Sequence, residues 1–118
     1  MKKLITTIAL GIVLNSCSIF GSLTSNTIIK PNDSFVLGNN EHGTFKVKLK
    51  NLSKHDLKIF MAPIAGGTHS PVIVKPNESI IVKAERNTAL VIENKANDTA
   101  SVDLYVTGDT GLSMGYKK

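Results

Sequence analysis

The chain has 118 residues, 42% of them hydrophobic and 19% charged, with a formal net charge of +5. That length supports one domain with a single core and not two. Its single cysteine excludes an intramolecular disulfide, and a mild basic excess with no tryptophan and no interleaved aromatics argues against nucleic-acid binding.

The first element is Met1-Lys2-Lys3, an apolar run over 4–14, and then Asn15-Ser16-Cys17. Two lysines ahead of an apolar stretch of this length, with a small residue before the cysteine, have the layout of an export signal. A spanning helix needs about 20 apolar residues, and this run stops short of that, so the segment is expected to be cut rather than kept. Leu14-Asn15-Ser16-Cys17 resembles the bacterial lipobox, in which a branched aliphatic residue lies three before the cysteine and a small one lies just before it. The resemblance implies that the Cys17 thiol carries a diacylglycerol, that cleavage falls between Ser16 and Cys17, and that the new amino group is acylated. Each buried methylene contributes about 0.8 kcal/mol, so two or three acyl chains form a lasting anchor where a single myristoyl does not. Lipid would also consume a thiol that is otherwise unwelcome in an oxidising compartment.

Residues 1–16 are thus read as the signal, 17–26 as a tether and 27–118 as the folded domain. The mature chain of 102 residues loses Lys2 and Lys3, which leaves 12 basic against 9 acidic side chains and a net charge of +3. Ser18 rather than aspartate follows the cysteine, and no acidic run follows it. By resemblance to the best-known sorting systems, this places the protein on the bacterial outer membrane, facing the periplasm.

From Thr27 onward the pattern is strand after strand. Thr44-Phe45-Lys46-Val47-Lys48-Leu49-Lys50 alternates apolar with basic, so Phe45, Val47 and Leu49 face a core and the lysines face water. Shorter runs rich in β-branched residues occur at 35–37, 57–61, 71–74, 79–82, 89–92 and 102–106, separated by turn clusters such as Gly38-Asn39-Asn40 and Pro76-Asn77. No stretch after the signal keeps a helical period. The expectation is an all-β fold, a small antiparallel sandwich or barrel-like domain of seven to nine strands.

Lys30-Pro31-Asn32-Asp33-Ser34-Phe35-Val36 recurs as Lys75-Pro76-Asn77-Glu78-Ser79-Ile80-Ile81, displaced by 45 residues. At the same displacement Leu57-Lys58-Ile59-Phe60 meets Val102-Asp103-Leu104-Tyr105, and the glycine-rich segments 62–67 and 107–112 correspond. Proline then asparagine suits any tight turn, so convergence explains the motif alone; the downstream register favours duplication. Duplication predicts two related four-strand units packed face to face about a pseudo-twofold axis.

Chemistry is sparse. His42, His55 and His69 lie in expected loops, and no spacing sets two of them on one face, so they read as solvated loop residues and no metal is assigned. Gly111-Leu112-Ser113-Met114-Gly115 matches GxSxG, but a nucleophile elbow needs strand, turn and helix in an α/β sheet, so it reads as a glycine-flanked terminal strand. No catalytic residue and no cofactor are expected. With no tryptophan and only Tyr105 and Tyr116, the first inside an expected core strand, a glycan platform is disfavoured.

These readings lead to a membrane-anchored envelope lipoprotein acting as a non-catalytic binding or structural module, with an envelope protein as candidate partner. Its candidate binding residues are Gly66, Gly67, Thr68 and His69 in one loop and Asp109 and Thr110 in the other, because glycines let a partner approach the main chain. The outward side of 89–92, apolar throughout where 44–50 carries lysines, is the other candidate surface. Two alternatives are a small metal-dependent or hydrolytic domain using His69 and Asp109, and an edge-strand interaction module, which Lys46, Lys48 and Lys50 would discourage.

Overall fold

The computed structural model describes residues 22–117; the signal segment, Cys17 and the start of the tether lie outside the described residues. Nine strands follow one another: β1 (Ser22–Ile29), β2 (Asp33–Leu37), β3 (Phe45–Asn51), β4 (Leu57–Pro63), β5 (His69–Val74), β6 (Ser79–Ala84), β7 (Thr88–Asn94), β8 (Ala100–Gly108) and β9 (Met114–Lys117). They form two antiparallel sheets, a four-stranded one in the order β1-β8-β3-β6 and a five-stranded one in the order β5-β4-β7-β2-β9. The all-β sandwich expected from the sequence is the observed class, and the sheets do not close into a barrel.

Strand β1 begins inside the segment read as tether. Residues 22–26 pair with 103–107 of β8, from Ser22 opposite Thr107 to Asn26 opposite Asp103. Their small polar side chains suit an edge strand whose outer side meets water; polarity alone does not distinguish such a strand from a linker. Residues 22–26 therefore belong to the sheet and not to the tether.

Alternation sets the core. Phe45, Val47 and Leu49 are buried while Lys46, Lys48 and Lys50 between them are exposed. Against them pack Leu57, Ile59, Leu90 and Ile92 from the five-stranded sheet, and Val102, Leu104 and Val106 from β8 complete the layer. Each such side chain contributes about 1.5–3 kcal/mol through removal from water.

The repeat is built into the topology. Advancing β1, β3 by one motif gives β5, β7, and moving β8, β6 back by one gives β4, β2, so the order β1-β8-β3-β6 becomes β5-β4-β7-β2. The two proline-asparagine turns are equivalent: Asn32 and Asn77 both adopt positive φ, 59° and 65°. The amide of Asp33 donates to Lys30 O at 3.2 Å and that of Glu78 to Lys75 O at 3.0 Å. The halves are not two units stacked face to face, however. Each sheet takes strands from both halves, because successive strands other than β4 and β5 cross between sheets and each half supplies two strands to each sheet, β9 being added to the second. Strands β3 and β7 correspond at a displacement of 43 residues rather than 45, so that Phe45 opposite Gly108 matches Thr88 opposite Pro63. The outer pairings differ more, with a bulge between Ile59 and Met61 where β4 meets β5.

That displacement aligns two buried asparagines that end their strands, Asn51 and Asn94. The Asn51 amide donates to the carbonyls of His55 at 2.8 Å and Val74 at 2.9 Å, and its oxygen accepts from Ser53 N at 2.9 Å. Asn94 donates to Asp98 O at 2.8 Å and Ile29 O at 3.1 Å, and accepts from Ala96 N at 3.1 Å. The offsets to the following turn are identical, four and two residues, and each amide also holds the end of an edge strand, β5 or β1.

Candidate functional site

At the centre of the five-stranded sheet, β7 is buried on both sides. Leu90 and Ile92 point into the core, while Ala89 and Val91, 1% and 7% exposed, belong to the outer face. Their counterparts on β3 are the exposed Lys46 and Lys48. Pairing explains the difference: Ala89 lies beside Ala62, and Val91 lies between Phe60 on β4 and Val36 on β2. Small side chains at 62 and 89 lower the floor. Phe60 with 63–68 rises on one side and β9 with Ser113 lies on the other, leaving a groove of about 730 Å³. Among the described residues that line it, Glu93 is the only acidic one and none is Lys, Arg or His. Its Oε1 is enclosed without a hydrogen bond, 3.8 Å from Lys95 Nζ.

Two of the expected loop residues line this groove, Gly67 and Thr68, and so do Ala89 and Val91 of the alternative surface. The two candidate surfaces thus overlap only at Gly67 and Thr68, beside Ala89 and Val91. Gly66 and Gly67 have φ of 121° and 78°, conformations that glycine adopts freely, and a Cβ on either would meet open space. His69 opens β5 opposite Met61 and its Nδ1 lies 2.8 Å from Ser70 Oγ, outside the groove. Asp109 and Thr110 lie in the equivalent loop after β8 and do not line it either.

The equivalence of the two loops is real: Ile64 N donates to Asn87 O at 2.9 Å and Asp109 N to Thr44 O at 3.1 Å, each joining the loop to the start of the neighbouring strand. It does not unite His69 with Asp109. The Asp109 carboxylate accepts from Gly43 N at 2.7 Å and Gly111 N at 2.8 Å. Those two bonds, with the nearby His42 a smaller contribution, hold its pKa below the ordinary value. Among the described residues, no three His, Cys, Asp or Glu side chains come together as metal ligands.

Asp109 is therefore a loop clamp. Its carboxylate is favoured in the folded state, so its stabilisation is complete above the unfolded carboxyl pKa of about 3.9 and is lost as pH falls through the lower folded value. Asp109→Asn should be less stable than wild type at neutral pH, by of order 1 kcal/mol. The gap should narrow in urea unfolding as pH falls below about 4; curves that stay parallel throughout the acid limb would contradict the assignment.

Two of the histidines differ from the solvated loop residues expected, while His69 is exposed, at the start of β5. His42 is buried, its ring edge-on to Phe45 with centroids 5.1 Å apart. Its Nε2 lies 3.0 Å from both Gly38 O and Thr88 O, and its main-chain amide donates to Asn87 Oδ1 at 2.9 Å. Both ring nitrogens of His55 are enclosed without a protein partner. Tyr105, expected within the core, alternates outward on β8 and is 47% exposed. Ser113 of the GxSxG match is bound through its main chain, its carbonyl accepting from Gly38 N at 2.7 Å and its amide donating to Asn40 Oδ1 at 2.9 Å. These bonds brace the strand that forms one wall of the groove.

The lysines of β3 guard no edge. Strand β3 lies between β8 and β6, and the edges of the sheets are β1, β6, β5 and β9.

No family model, curated protein or solved structure matches the chain.

The sequence showed the apolar run of β7 but not the groove. Phe60, Ala62 and Val36 become its lining only once β4, β7 and β2 are paired in register, and no spacing within one strand signals that.

Proposed function

We propose that the protein is a membrane-anchored envelope lipoprotein, held through lipid on Cys17, whose sandwich serves as a non-catalytic binding module with the groove as its contact surface. One observation supports this most: at equivalent positions of two copies of one motif, one carries exposed lysines and the other Ala89 and Val91 on the apolar floor of a groove whose rim is polar. Solvated sheet faces ordinarily carry polar side chains. A face that exchanges them for a concave surface with an apolar floor, a polar rim and one carboxylate suits a partner segment that combines apolar side chains with a basic group. Binding surfaces of this kind are concave, apolar and largely pre-formed, and the groove rests on rigid strands braced by the Gly38, Asn40 and Ser113 bonds.

Photo-crosslinking in intact cells tests the groove. A photoreactive side chain at Thr68 or Ile64 should give the same discrete adduct, and one at Lys54 or Asp98, at the opposite end of the strands, should not. Ala62→Arg, which fills the floor, should remove the adduct from both groove positions. Adducts that are equal at all four positions, or that survive Ala62→Arg, would reject the groove as the contact surface.

A further inference from the structure

The outer face of the four-stranded sheet is cationic. In register across β1, β8, β3 and β6 it reads Ser22, Thr107, Lys46, Lys83 in one row, then Thr24, Tyr105, Lys48, Ile81, then Asn26, Asp103, Lys50, Ser79. Lys46 and Lys83 are direct cross-strand neighbours, an arrangement of like charges that costs stability. None of the four lysines is in an ion pair among the described residues. The only carboxylate in these rows, Asp103, accepts a hydrogen bond from the Asn26 amide at 2.9 Å. Between the lysines stand Ile81, 65% exposed, and Tyr105, 47% exposed. Four unpaired cations around an exposed aromatic and an exposed aliphatic side chain have the composition of a membrane-interface surface.

The chain itself orients this face. Strand β1 is an edge of the same sheet, and its first residue, Ser22, sits in the row of Lys46 and Lys83. Cys17 precedes Ser22 by five residues, a span of at most about 18 Å. A lipid on Cys17 would thus hold the bilayer within reach of the lysine rows.

We infer that the outer face of the β1-β8-β3-β6 sheet lies against the anionic headgroups of the bilayer that receives the lipid, with Lys46, Lys48, Lys50 and Lys83 over the phosphates and Tyr105 and Ile81 at headgroup depth. This deepens the anchored reading of Cys17 and rests on it for its setting. It also assigns the two sheets opposite duties, since the groove then opens away from the membrane.

The test omits the cysteine. All nine strands lie within residues 22–117, so a chain of residues 18–118 keeps the whole sandwich. It is sedimented with vesicles of phosphatidylglycerol and phosphatidylcholine, and with phosphatidylcholine alone. Binding is expected to the anionic vesicles only and to fall steeply with salt. Each lysine at an anionic surface strengthens binding about fivefold, so replacing Lys46 and Lys48 by glutamine should weaken it about 25-fold. The same change at Lys54 and Lys95, elsewhere on the surface, should leave it within about twofold. Because the protein has no tryptophan, Tyr105→Trp supplies a single fluorophore at the centre of the face. Its emission should shift to the blue on anionic vesicles, and that of Tyr116→Trp on the other sheet should not.

Equal binding to neutral vesicles, equal weakening by the two lysine pairs, no binding, or an unshifted Tyr105→Trp would each overturn the inference. Retention on immobilised polyglutamate without vesicle binding would make an acidic polypeptide the occupant and overturn it as well. A lipidated Cys17 in cells with no vesicle binding by this chain removes the docked face and leaves the anchor. Vesicle binding with an unmodified Cys17 does the reverse.

Discussion

Asn51→Ala and Asn94→Ala should each destabilise the domain by about 2–4 kcal/mol, and by similar amounts. Each asparagine is buried, at 0% and 1% exposure, and satisfies carbonyls and an amide at the end of its strand. Truncating Asn51 leaves the carbonyls of His55 and Val74 and the amide of Ser53 without their side-chain partner; truncating Asn94 does the same to Asp98, Ile29 and Ala96. An unsatisfied buried group costs about 1–3 kcal/mol, while water entering the turns after β3 and β7 recovers part of that. The shared geometry predicts the shared cost. Urea unfolding of both single variants measures it, and a loss below about 1 kcal/mol in either would mean that the residue is not a clamp.

A larger effect is expected at Phe45, where alanine should cost about 3–5 kcal/mol. The ring is 2% exposed, in the core that joins the two sheets, and it carries the edge-on His42 ring. His42 contacts the Gly38 and Thr88 carbonyls, the Gly38 amide binds Ser113 O, and Ser113 leads into β9. Loss of Phe45 should therefore loosen the groove as well as the core. Phe45→Leu, which keeps volume on the core side, should cost markedly less. Amide exchange at 113–116 should accelerate in the alanine variant beyond the global change in stability. An increase no greater than the global one would break the proposed link between Phe45 and the groove wall.

Much of this fold is legible in the residues. The alternation of Phe45, Val47 and Leu49 with three lysines names a strand, its buried side and its solvated side, because a period of two admits no other arrangement. Repetition of the Lys-Pro-Asn turn likewise announced the symmetry, since both asparagines adopt the positive φ that the turn requires. What the sequence does not carry is pairing across the sandwich. That β3 lies between β8 and β6 is decided by the packing of two whole layers, and it moves the lysines from a guarded edge to a broad face. Lys83 joins Lys46 only in that register.

Polar residues were the least legible. His42 and Asp109 look like any exposed loop residues, yet one is buried and the other bridges Gly43 and Gly111. Asn51 and Asn94 look like turn formers and prove to be the buried ends of central strands, because carbonyls at the strand ends can be satisfied only by donors brought to them. Ser22, Thr24 and Asn26 read as linker because an edge strand with one wet side needs few apolar residues. The groove combined both difficulties, having a polar rim around an apolar floor and becoming visible only after pairing.

The anchored reading stands on a single atom, the sulfur of Cys17, and an intact mass of the mature protein extracted from membranes tests it most directly. The account predicts a chain of residues 17–118 heavier than its polypeptide by a diacylglyceryl group, or by that group and a third acyl chain, with the added mass on the N-terminal peptide. It also predicts that Cys17→Ser abolishes both the added mass and cleavage after Ser16. A soluble mature protein that begins elsewhere, or that carries Cys17 with a free thiol, would contradict it.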